Sequence, residues 1–503
     1  MISRFAALFV ALFFSGHAVF AATACGDLRS LSDPGMRVAA AELVPAGSPA
    51  PTAFPAAPAG KAATSATTLP AYCRVAAVLT PSADSHIEME LWLPTETWNG
   101  KFQAVGGGGW AGGLSLPAMA TALGEGYATA SNDTGHKGGD ALFGIGHPEK
   151  VVDYAYRAVH EMTVRSKSLI EAFYGEKARL SYWNGCSTGG RQGLMEAQRY
   201  PEDYDAIVAG APANYHSHLH VADLALTVPV MGDDALKVPA DKLDLLNRAV
   251  LDACDALDGV KDGLLQDPKR CRFDPAALRC AGGDAPGCLT AGQVETLKRA
   301  YAPVTTASGA VVFPGKAHGG EYAWSMLSGA QPSPVSVGTM LLTTQDAKWD
   351  WRTFDLERDL AAADAKTGFI NAIDPDLGAF QARGGKLLLY HGWDDMGIAP
   401  ENTVNYYEQA KSETGAQPDR WMRLFMLPGV GHCSGGRGPD QADFMGALER
   451  WVEAGEAPER VIAHRVSGGR VVMSRPLCPY PQVARYKGVG SANDAANFEC
   501  KAP

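Results

Sequence analysis

One stretch of the 503-residue sequence decides the fold: Leu180-Ser-Tyr-Trp-Asn-Gly-Cys-Ser-Thr-Gly-Gly190. Its first four residues form a short apolar run bounded by glycine, which predicts a buried strand. Residues 185–189 then fit the pattern Gly-x-Ser-x-Gly, and glycines on both sides allow the tight turn that lifts a serine hydroxyl above a sheet. A helix is expected from about Arg191 to Arg199. The stretch therefore predicts a strand, a nucleophile turn at Ser187 and a helix, with an ordinary glycine-rich turn as the alternative.

The same rhythm continues on both sides of this stretch. Alternation in 87–93 and short apolar runs at 101–105, 127–130, 206–209, 386–390 and 422–427 predict strands, and helical spacing predicts a helix over 151–174. The rhythm breaks between about 215 and 380, where four cysteines and several Asp-Gly turns replace the continuous apolar runs of a parallel sheet. We therefore predict an α/β core in two parts, 22–214 and 381–503, with a large lid domain inserted at 215–380.

Composition and the first residues exclude several classes of protein. Hydrophobic residues make up 46% and charged residues 20%, which is typical of a globular chain, and a net charge of −11 argues against a nucleic-acid partner. Residues 1–21 combine Arg4, an apolar run and small residues before Ala22, which predicts a signal peptide and a secreted or periplasmic protein. That run is shorter than the roughly 20 residues needed to cross a bilayer, and no later segment is apolar enough, so no membrane span is expected.

Partners for the serine are expected downstream. A serine becomes a nucleophile when a base removes its proton and an acid holds that base in the right tautomer. In the α/β-hydrolase order the acid and then the base follow the serine, each just beyond a strand. The strand at 386–390 leads to Asp394 and Asp395, and the strand at 422–427 leads to His432. We therefore assign Asp395 as the acid and His432 as the base, with Asp394 as the main rival for the acid.

Backbone donors for a developing oxyanion are expected beside the serine. The amide of Thr188 directly follows the nucleophile. The run Gly106–Gly109 follows an early strand, where hydrolases of this class place their second donor. Within that run we choose Gly108, and a flexible turn is the alternative.

Ten cysteines in an exported chain indicate disulfides. Cys186 precedes Ser187 and Cys433 follows His432, so a bond between these two cysteines would hold the nucleophile and the base together. Spacing favours three local loops, closed by Cys254–Cys271, Cys280–Cys288 and Cys478–Cys500. A Cys186 thiolate is the rival nucleophile, but export to an oxidising compartment argues against it.

A candidate metal site lies in the loop 255–264. Asp255, Asp258 and Asp262 lie within eight residues, and turn-forming glycines directly follow the last two. The carbonyls of Val260 and Leu264 would complete an all-oxygen shell. Such a shell suits a hard cation such as Ca²⁺ and not zinc. An Asp-Gly turn with solvated acids is the alternative.

Four further histidines lie near these motifs. His391 opens the turn of the acid and is interpreted as a packed neighbour. His216, His218 and His220 alternate along the chain, but they lack a fourth clustered ligand, so a metal site there is not favoured.

The combination resembles the tannase and feruloyl esterase family of α/β-hydrolases, which includes the hydrolase of mono(2-hydroxyethyl) terephthalate. The resemblance extends from Cys25 to Cys500. It rests on Gly-Gly-Gly-Gly-Trp at 106–110, Asn-Gly-Cys-Ser-Thr-Gly-Gly at 184–190, the loop 255–264, His-Gly-Trp-Asp-Asp at 391–395 and Gly-His-Cys at 431–433. It implies an α/β-hydrolase core with a lid, the triad Ser187, Asp395 and His432, and a structural calcium ion in the lid. It also implies a Cys25–Cys73 pair beside the four given above.

The resemblance and the motifs together predict a secreted serine esterase that cleaves small esters of aromatic acids through an acyl-enzyme, with no organic cofactor. Feruloyl or galloyl esters are favoured over terephthalate because the sequence shows no carboxylate clamp. The alternatives are a mono(2-hydroxyethyl) terephthalate-type hydrolase, acyl transfer to an alcohol, and a non-catalytic exported binding protein on the same fold.

The inserted region contains aromatic side chains that could line an acyl pocket. Packing within the lid is the simpler interpretation for most of them, and Arg352 could meet a polar substituent. The aromatic residues are Tyr322, Trp324, Trp349, Trp351 and Phe354.

Overall fold

The structure is a computed structural model that describes residues 22–50, 68–110, 112–415 and 417–503. The predicted signal peptide, residues 1–21, lies outside the described residues. The strands are β1 (Ser32–Asp33), β2 (Met36–Val44), β3 (Tyr72–Leu79), β4 (Ile87–Pro94), β5 (Lys101–Val105), β6 (Ala128–Asn132), β7 (Leu180–Cys186), β8 (Ala206–Gly210), β9 (Val304–Thr305), β10 (Val311–Phe313), β11 (Lys386–Gly392), β12 (Met422–Leu427), β13 (Gln441–Ala442), β14 (Val461–Ser467), β15 (Arg470–Leu477), β16 (Val483–Tyr486) and β17 (Phe498–Lys501).

Helices surround these strands. They are α1 (Leu116–Gly124), α2 (Pro148–Val152), α3 (Ala158–Tyr174), α4 (Thr188–Arg199), α5 (His216–Gly232), α6 (Ala240–Cys254), α7 (Ala291–Tyr301), α8 (Pro334–Thr344), α9 (Leu356–Thr367), α10 (Gly378–Ala382), α11 (Glu401–Glu413) and α12 (Phe444–Ala454). None of the helices in the described ranges combines the length and the apolar character needed to cross a lipid bilayer.

A ten-stranded mixed sheet forms the centre of the fold. Its strand order is β1-β2-β3-β4-β6-β5-β7-β8-β11-β12. Strands β1 to β4 pair antiparallel with their neighbours, and β4 also pairs antiparallel with β6. The remaining pairs, in the order β6-β5-β7-β8-β11-β12, are parallel. Helices connect the parallel strands, as crossover connections require. The predicted α/β fold is confirmed.

Continuous apolar runs form the parallel strands because both faces of the sheet are covered. In β11, Leu387 and Leu389 belong to one buried cluster, whereas Leu388 and Tyr390 belong to another. Successive side chains of a strand point to opposite faces, so each run supplies two cores at once. This burial on both faces fixes the strand ends that carry the site.

The predicted elements differ from the observed ones mainly at their ends. Strands β5 and β12 have the predicted bounds, but β7 continues to Cys186 and α4 begins at Thr188, directly after the serine. The helix expected over 151–174 is interrupted by a π-helical turn at Asp153–Arg157.

The inserted region has an apolar core of its own. Buried residues from Leu226 to Leu327 form one cluster around α6 and α7, which includes Leu246, Leu297 and Trp324. Helix α5 packs against α8 and α9. The predicted boundaries at 215 and 380 stay a prediction.

Five disulfides tie the fold together, and the predicted pairs are confirmed. Their Cα–Cα distances lie between 5.0 and 6.1 Å. The pairs are Cys25–Cys73, Cys186–Cys433, Cys254–Cys271, Cys280–Cys288 and Cys478–Cys500.

Candidate active site

The three candidate catalytic residues lie at one edge of the central sheet. Ser187 follows β7, Asp395 lies three residues beyond β11, and His432 lies in the loop after β12. The glycine run 106–109 follows β5, the neighbour of β7. Because the carboxyl ends of parallel strands meet at one edge, the topology collects these residues in one place.

Ser187 occupies a strained turn. Its backbone angles are φ 63° and ψ −122°, a region that side-chain-bearing residues rarely adopt outside functional turns. Its amide donates to the carbonyl of Gly210 at 3.0 Å, and its own carbonyl accepts from Arg191 and Ala213. A Cβ at Gly185 would lie 2.6 Å from the carbonyl carbon of Gly189, so the turn requires glycine. The sequence therefore builds a turn that presents the Ser187 side chain at the start of α4.

Asp395 holds His432 by a short hydrogen bond. His432 Nδ1 lies 2.6 Å from Asp395 Oδ2, and Asp395 Oδ1 accepts from the amides of Gly397 and Ile398 at 2.7 and 2.9 Å. Burial alone would raise the pKa of Asp395, but the charge of His432 and the imidazole hydrogen bonds hold it well below its usual range. Burial opposes the charged ring of His432, yet the Asp395 carboxylate raises its pKa above the ordinary value. The pair therefore suits a base whose charged form is stabilised as it takes up a proton.

A second imidazole also reaches Asp395. His391 is fully buried, its Nε2 lies 3.0 Å from Asp395 Oδ2, and its Nδ1 lies 2.7 Å from the Thr403 hydroxyl. A carboxylate only accepts, so His391 Nε2 donates to Asp395 and the Thr403 hydroxyl donates to Nδ1. Our interpretation of His391 as a packed neighbour missed this contact. Its place at the end of β11, four residues before the acid, was the available signal.

Asp394 faces away from the base. Its Oδ2 accepts a hydrogen bond from the Tyr322 hydroxyl at 3.1 Å. Burial, followed by the charge of Glu321, raises the pKa of Asp394 to about 7. Of the two adjacent acids, the structure brings Asp395 to His432 and Asp394 to the inserted region.

The Cys186–Cys433 disulfide joins the turn of the serine to the loop of the histidine. Its Cα–Cα distance is 6.1 Å across 247 residues of sequence. Because Cys186 is in a disulfide, the thiolate alternative is wrong.

Ser187 Oγ and His432 do not form a hydrogen bond within the described ranges. In enzymes without substrate, such catalytic contacts are often long, and they shorten when substrate binds.

The glycine run packs against the start of α4. The amide of Gly189 donates to the carbonyl of Gly107 at 2.8 Å, and the Thr188 hydroxyl donates to the carbonyl of Gly109 at 2.9 Å. The amide of Gly107 donates to Gln192 Oε1 at 3.2 Å. Thr188 is the first residue of α4, so its amide has no acceptor inside the helix. The glycine run therefore lies beside Ser187, and the amide of Gly107 is already used in a hydrogen bond to Gln192.

The aspartate loop, residues 255–264, concentrates buried negative charge. Asp258 Oδ2 is buried and has no hydrogen-bond partner in the described part of the chain. Burial, followed by the charges of Asp262 and Asp255, raises the pKa of Asp258 to about 7, and burial also raises the pKa of Asp262. Arg475 Nη2 contacts Asp262 Oδ2 at 2.6 Å. The loop thus has an unpaired oxygen and too little positive charge, which fits a hard cation.

The alternating histidines do not gather around one common point, although the rings of His216 and His220 pack against each other with centroids 4.5 Å apart. His218 contacts the carbonyl of Val312 and the carboxylate of Asp364, and His220 contacts Ser336. The ring of His216 packs against Trp110. Within the described residues, none of these three imidazoles belongs to a group of side chains that could hold a metal ion.

The aromatic residues of the inserted region lie in three different environments. Tyr322 contacts Asp394 in the turn that carries the two acids, residues 391–395, here called the acid turn. Trp324 is buried against Tyr301 in the lid core. Trp349 and Phe354 pack on a neighbouring cluster. Arg352 is exposed and pairs with Asp350.

Comparisons with known proteins agree with this arrangement. The family model described as "Tannase and feruloyl esterase" matches residues 73–501. The chain is 36% identical to an uncharacterised esterase of Xanthomonas campestris, over 95% of this chain and 91% of that protein. It is 34% identical to the mono(2-hydroxyethyl) terephthalate hydrolase of Piscinibacter sakaiensis, over 88% and 87% of the two chains. The crystal structure of feruloyl esterase B from Aspergillus oryzae superposes with a TM-score of 0.86 at 31% identity, covering 95% of this chain and 99% of that chain.

Proposed function

The chain belongs to the tannase and feruloyl esterase family of carboxylic-ester hydrolases, and from this premise we propose that it cleaves esters of aromatic acids with Ser187, His432 and Asp395 as its catalytic triad. The observation that carries the proposal is the 2.6 Å contact of His432 Nδ1 with Asp395 Oδ2, in a loop joined by a disulfide to the strained turn of Ser187.

The proposal gives each residue a role in the reaction. Ser187 Oγ attacks the ester carbonyl while His432 Nε2 takes the hydroxyl proton, and Asp395 stabilises the imidazolium that forms. The amides of Thr188 and Gly108 donate to the oxyanion of the tetrahedral intermediate. His432 then returns the proton to the leaving alcohol, which gives an acyl-enzyme. A water molecule, deprotonated by His432, releases the acid and restores Ser187.

We further propose that Asp255, Asp258 and Asp262, with the carbonyls of Val260 and Leu264, hold a structural Ca²⁺ ion. The unpaired oxygen of Asp258 and the raised pKa values of Asp258 and Asp262 support this assignment. The ion would offset the charge of three carboxylates and take no part in the chemistry.

Feruloyl or galloyl esters are the proposed substrates. The similarity to feruloyl esterase B supports the feruloyl class. Arg352, the cation considered for a polar substituent, pairs with Asp350 at the surface, so the case for a terephthalate carboxylate clamp gains no support from it. The second candidate, a mono(2-hydroxyethyl) terephthalate-type activity, is favoured by the 34% identity to that hydrolase. Export is proposed as well, because five disulfides suit an oxidising compartment.

A substrate panel with a nucleophile variant tests the proposal. The wild-type protein should hydrolyse methyl ferulate or methyl gallate faster than mono(2-hydroxyethyl) terephthalate. Ser187→Ala should lose turnover by about 10⁴-fold or more while keeping its melting temperature, because the change removes only the hydroxyl. A fluorophosphonate should label Ser187 in the wild type and not in the variant.

The outcomes separate the alternatives. Absence of labelling together with absence of hydrolysis would indicate a binding protein on the same fold. Near-normal hydrolysis by Ser187→Ala would refute the triad. Cleavage of aliphatic esters alone would reject the aromatic substrate class and keep the mechanism. Ester products formed with added alcohols would identify acyl transfer.

A further inference from the structure

A second group of ligand-type side chains lies at the far end of the helix that follows Ser187. His160 comes from α3, Glu196 from the second half of α4, and Asp203 from the turn after α4. One ligand atom of each residue lies within 4.8 Å of the other two. The three residues, here called the His160 cluster, come from three segments that meet only through folding.

Glu196 is the unusual member of the His160 cluster. It is 1% exposed, and neither carboxylate oxygen accepts a hydrogen bond from an N–H or O–H group within the described ranges. Burial, followed by the charge of the adjacent Asp203, raises the pKa of Glu196 well above its ordinary value. Two carboxyl groups facing each other away from water require a cation or a shared proton between them.

The charge of Lys167 lowers the pKa of Glu196 in part, but within the described ranges neither Lys167 nor His160 donates a hydrogen bond to its carboxylate. The Lys167 ammonium donates to the main-chain carbonyls of Glu202 and Asp203, at 3.3 and 2.5 Å. His160 Nδ1 lies 2.6 Å from Asp203 Oδ2, and its ring stacks on Tyr200 with centroids 3.9 Å apart. The hydrogen bonds of Lys167 and His160 therefore go to Asp203 and to the backbone, and in the described part of the chain both oxygens of Glu196 lack a donor and face the carboxyl group of Asp203.

We propose that His160, Glu196 and Asp203 bind one divalent transition-metal ion of the zinc type. One imidazole nitrogen and two carboxylate oxygens form a mixed donor set that suits zinc, whereas Ca²⁺ prefers oxygen alone. Zinc–ligand distances of about 2.0–2.2 Å let one ion bridge ligand atoms up to about 4.4 Å apart, so small movements would close the site. The His160 side chain is 30% exposed, which gives an entry path and room for a water ligand.

The ion would connect helices that hold the nucleophile. It would join α3, the end of α4 and the turn that leads to β8, so that both ends of α4 are fixed, one by the serine turn and one by the metal. This role does not depend on the esterase proposal, because none of the three residues touches the candidate triad in the contacts described above.

The test measures zinc binding and melting temperature on the full chain. The protein is stripped with a chelator, returned to saturating Ca²⁺ to fill the aspartate loop, and titrated with Zn²⁺. We expect one equivalent of zinc to bind and the melting temperature to rise by several degrees. Glu196→Gln should abolish that rise, and His160→Asn, at a partly exposed position, should weaken zinc binding at least 10-fold. Asp262→Asn, in the aspartate loop, is the matched control and should keep the zinc-dependent rise.

Two results would overturn the metal site. If zinc leaves the wild-type melting temperature unchanged and Glu196→Gln melts at the same or a higher temperature, Glu196 and Asp203 share a proton instead of a metal ion. If the zinc-dependent rise persists in both Glu196→Gln and His160→Asn, the ion binds elsewhere. Should Glu196→Gln fail to fold, His160→Asn decides alone, because retained zinc affinity in that variant refutes the proposal.

Discussion

The acid turn and the aspartate loop both bury carboxylates, but they surround them differently. Asp395 is 2% exposed and accepts from two main-chain amides and two imidazole nitrogens, which hold its pKa well below the usual range. Asp258 is 7% exposed, accepts from the amide of Val260, and keeps one oxygen without a partner, with a pKa raised to about 7. A carboxylate with a complete set of donors is ionised by the protein itself. One with an incomplete set requires a proton or a metal ion.

The largest expected effect separates the two adjacent acids of the acid turn. Asp395→Asn should lower kcat by about 10⁴-fold, because an amide cannot hold His432 in the tautomer that accepts a proton. Asp394→Asn should lower kcat less than about 10-fold, because Asp394 contacts Tyr322 and not His432. Steady-state kinetics of both variants on one aromatic ester provide the measurement. The reverse order would transfer the role of the acid to Asp394.

The next largest effect is expected when Asp395 loses the hydrogen bond that it accepts from His391. His391→Gln should lower kcat roughly 10- to 100-fold with little change in KM, because a small displacement of the acid misplaces the base. Without the hydrogen bond from His391, the charge of Asp395 should raise the pKa of His432 further. The acidic limb of the plot of kcat/KM against pH should therefore move to higher pH. Thr403→Val, which removes only the partner of His391, should give a smaller change of the same kind. A fall in kcat without any movement of the limb would show that His391 serves packing alone.

Removing calcium should act on stability. Chelation should lower the melting temperature by a few degrees, which corresponds to about 2.7 kcal/mol for an ion present at 100 times its Kd. Asp258→Asn should lose the response to Ca²⁺, yet without the ion it should melt at or above the wild type, because the change relieves repulsion from Asp255 and Asp262. Calorimetry with and without Ca²⁺ measures both. An identical response to Ca²⁺ in wild type and variant would place the ion outside the loop.

The smallest expected effect is a dependence of the free energy of unfolding on pH. A carboxyl whose pKa is raised in the native state holds a proton that the unfolded chain releases, so its contribution is intact below about pH 4 and declines as the pH rises to about 7. Without calcium, the wild type should lose on the order of 1 to 3 kcal/mol of unfolding free energy over that range, relative to Asp258→Asn. Urea unfolding at pH 5 and pH 7.5 tests this. With Ca²⁺ bound, the difference in unfolding free energy between wild type and Asp258→Asn should depend less on pH. If the wild type without calcium instead gains stability relative to the variant as the pH rises, the prediction is wrong.

The sequence predicted the site wherever a pattern was local. A few consecutive residues are enough to recognise the serine turn, the flanking cysteines and the strand ends. The order of the strands then predicted that Ser187, Asp395 and His432 lie at one edge of the sheet. Asp394 and Asp395 were not separable in this way, because the direction of each side chain depends on the backbone of the turn. His391 and Glu196 were missed for a related reason. Their partners come from other segments, Thr403 for His391 and Asp203 for Glu196, and burial becomes visible only when those segments meet.

The Cys186–Cys433 bond also sets an order of events in biosynthesis. A chain made from its N-terminus presents the Ser187 turn first, and 247 residues must be added after Cys186 before its bonding partner exists. Until then the nascent protein carries the proposed nucleophile without its proposed base. Because a thiol pair closes only under oxidising conditions, we expect the Cys186–Cys433 bond to form in the oxidising compartment to which we propose that the chain is exported. Under the proposed mechanism, fragments that end before residue 432 lack the base and would be inactive, so ester cleavage would require a chain extended beyond that residue.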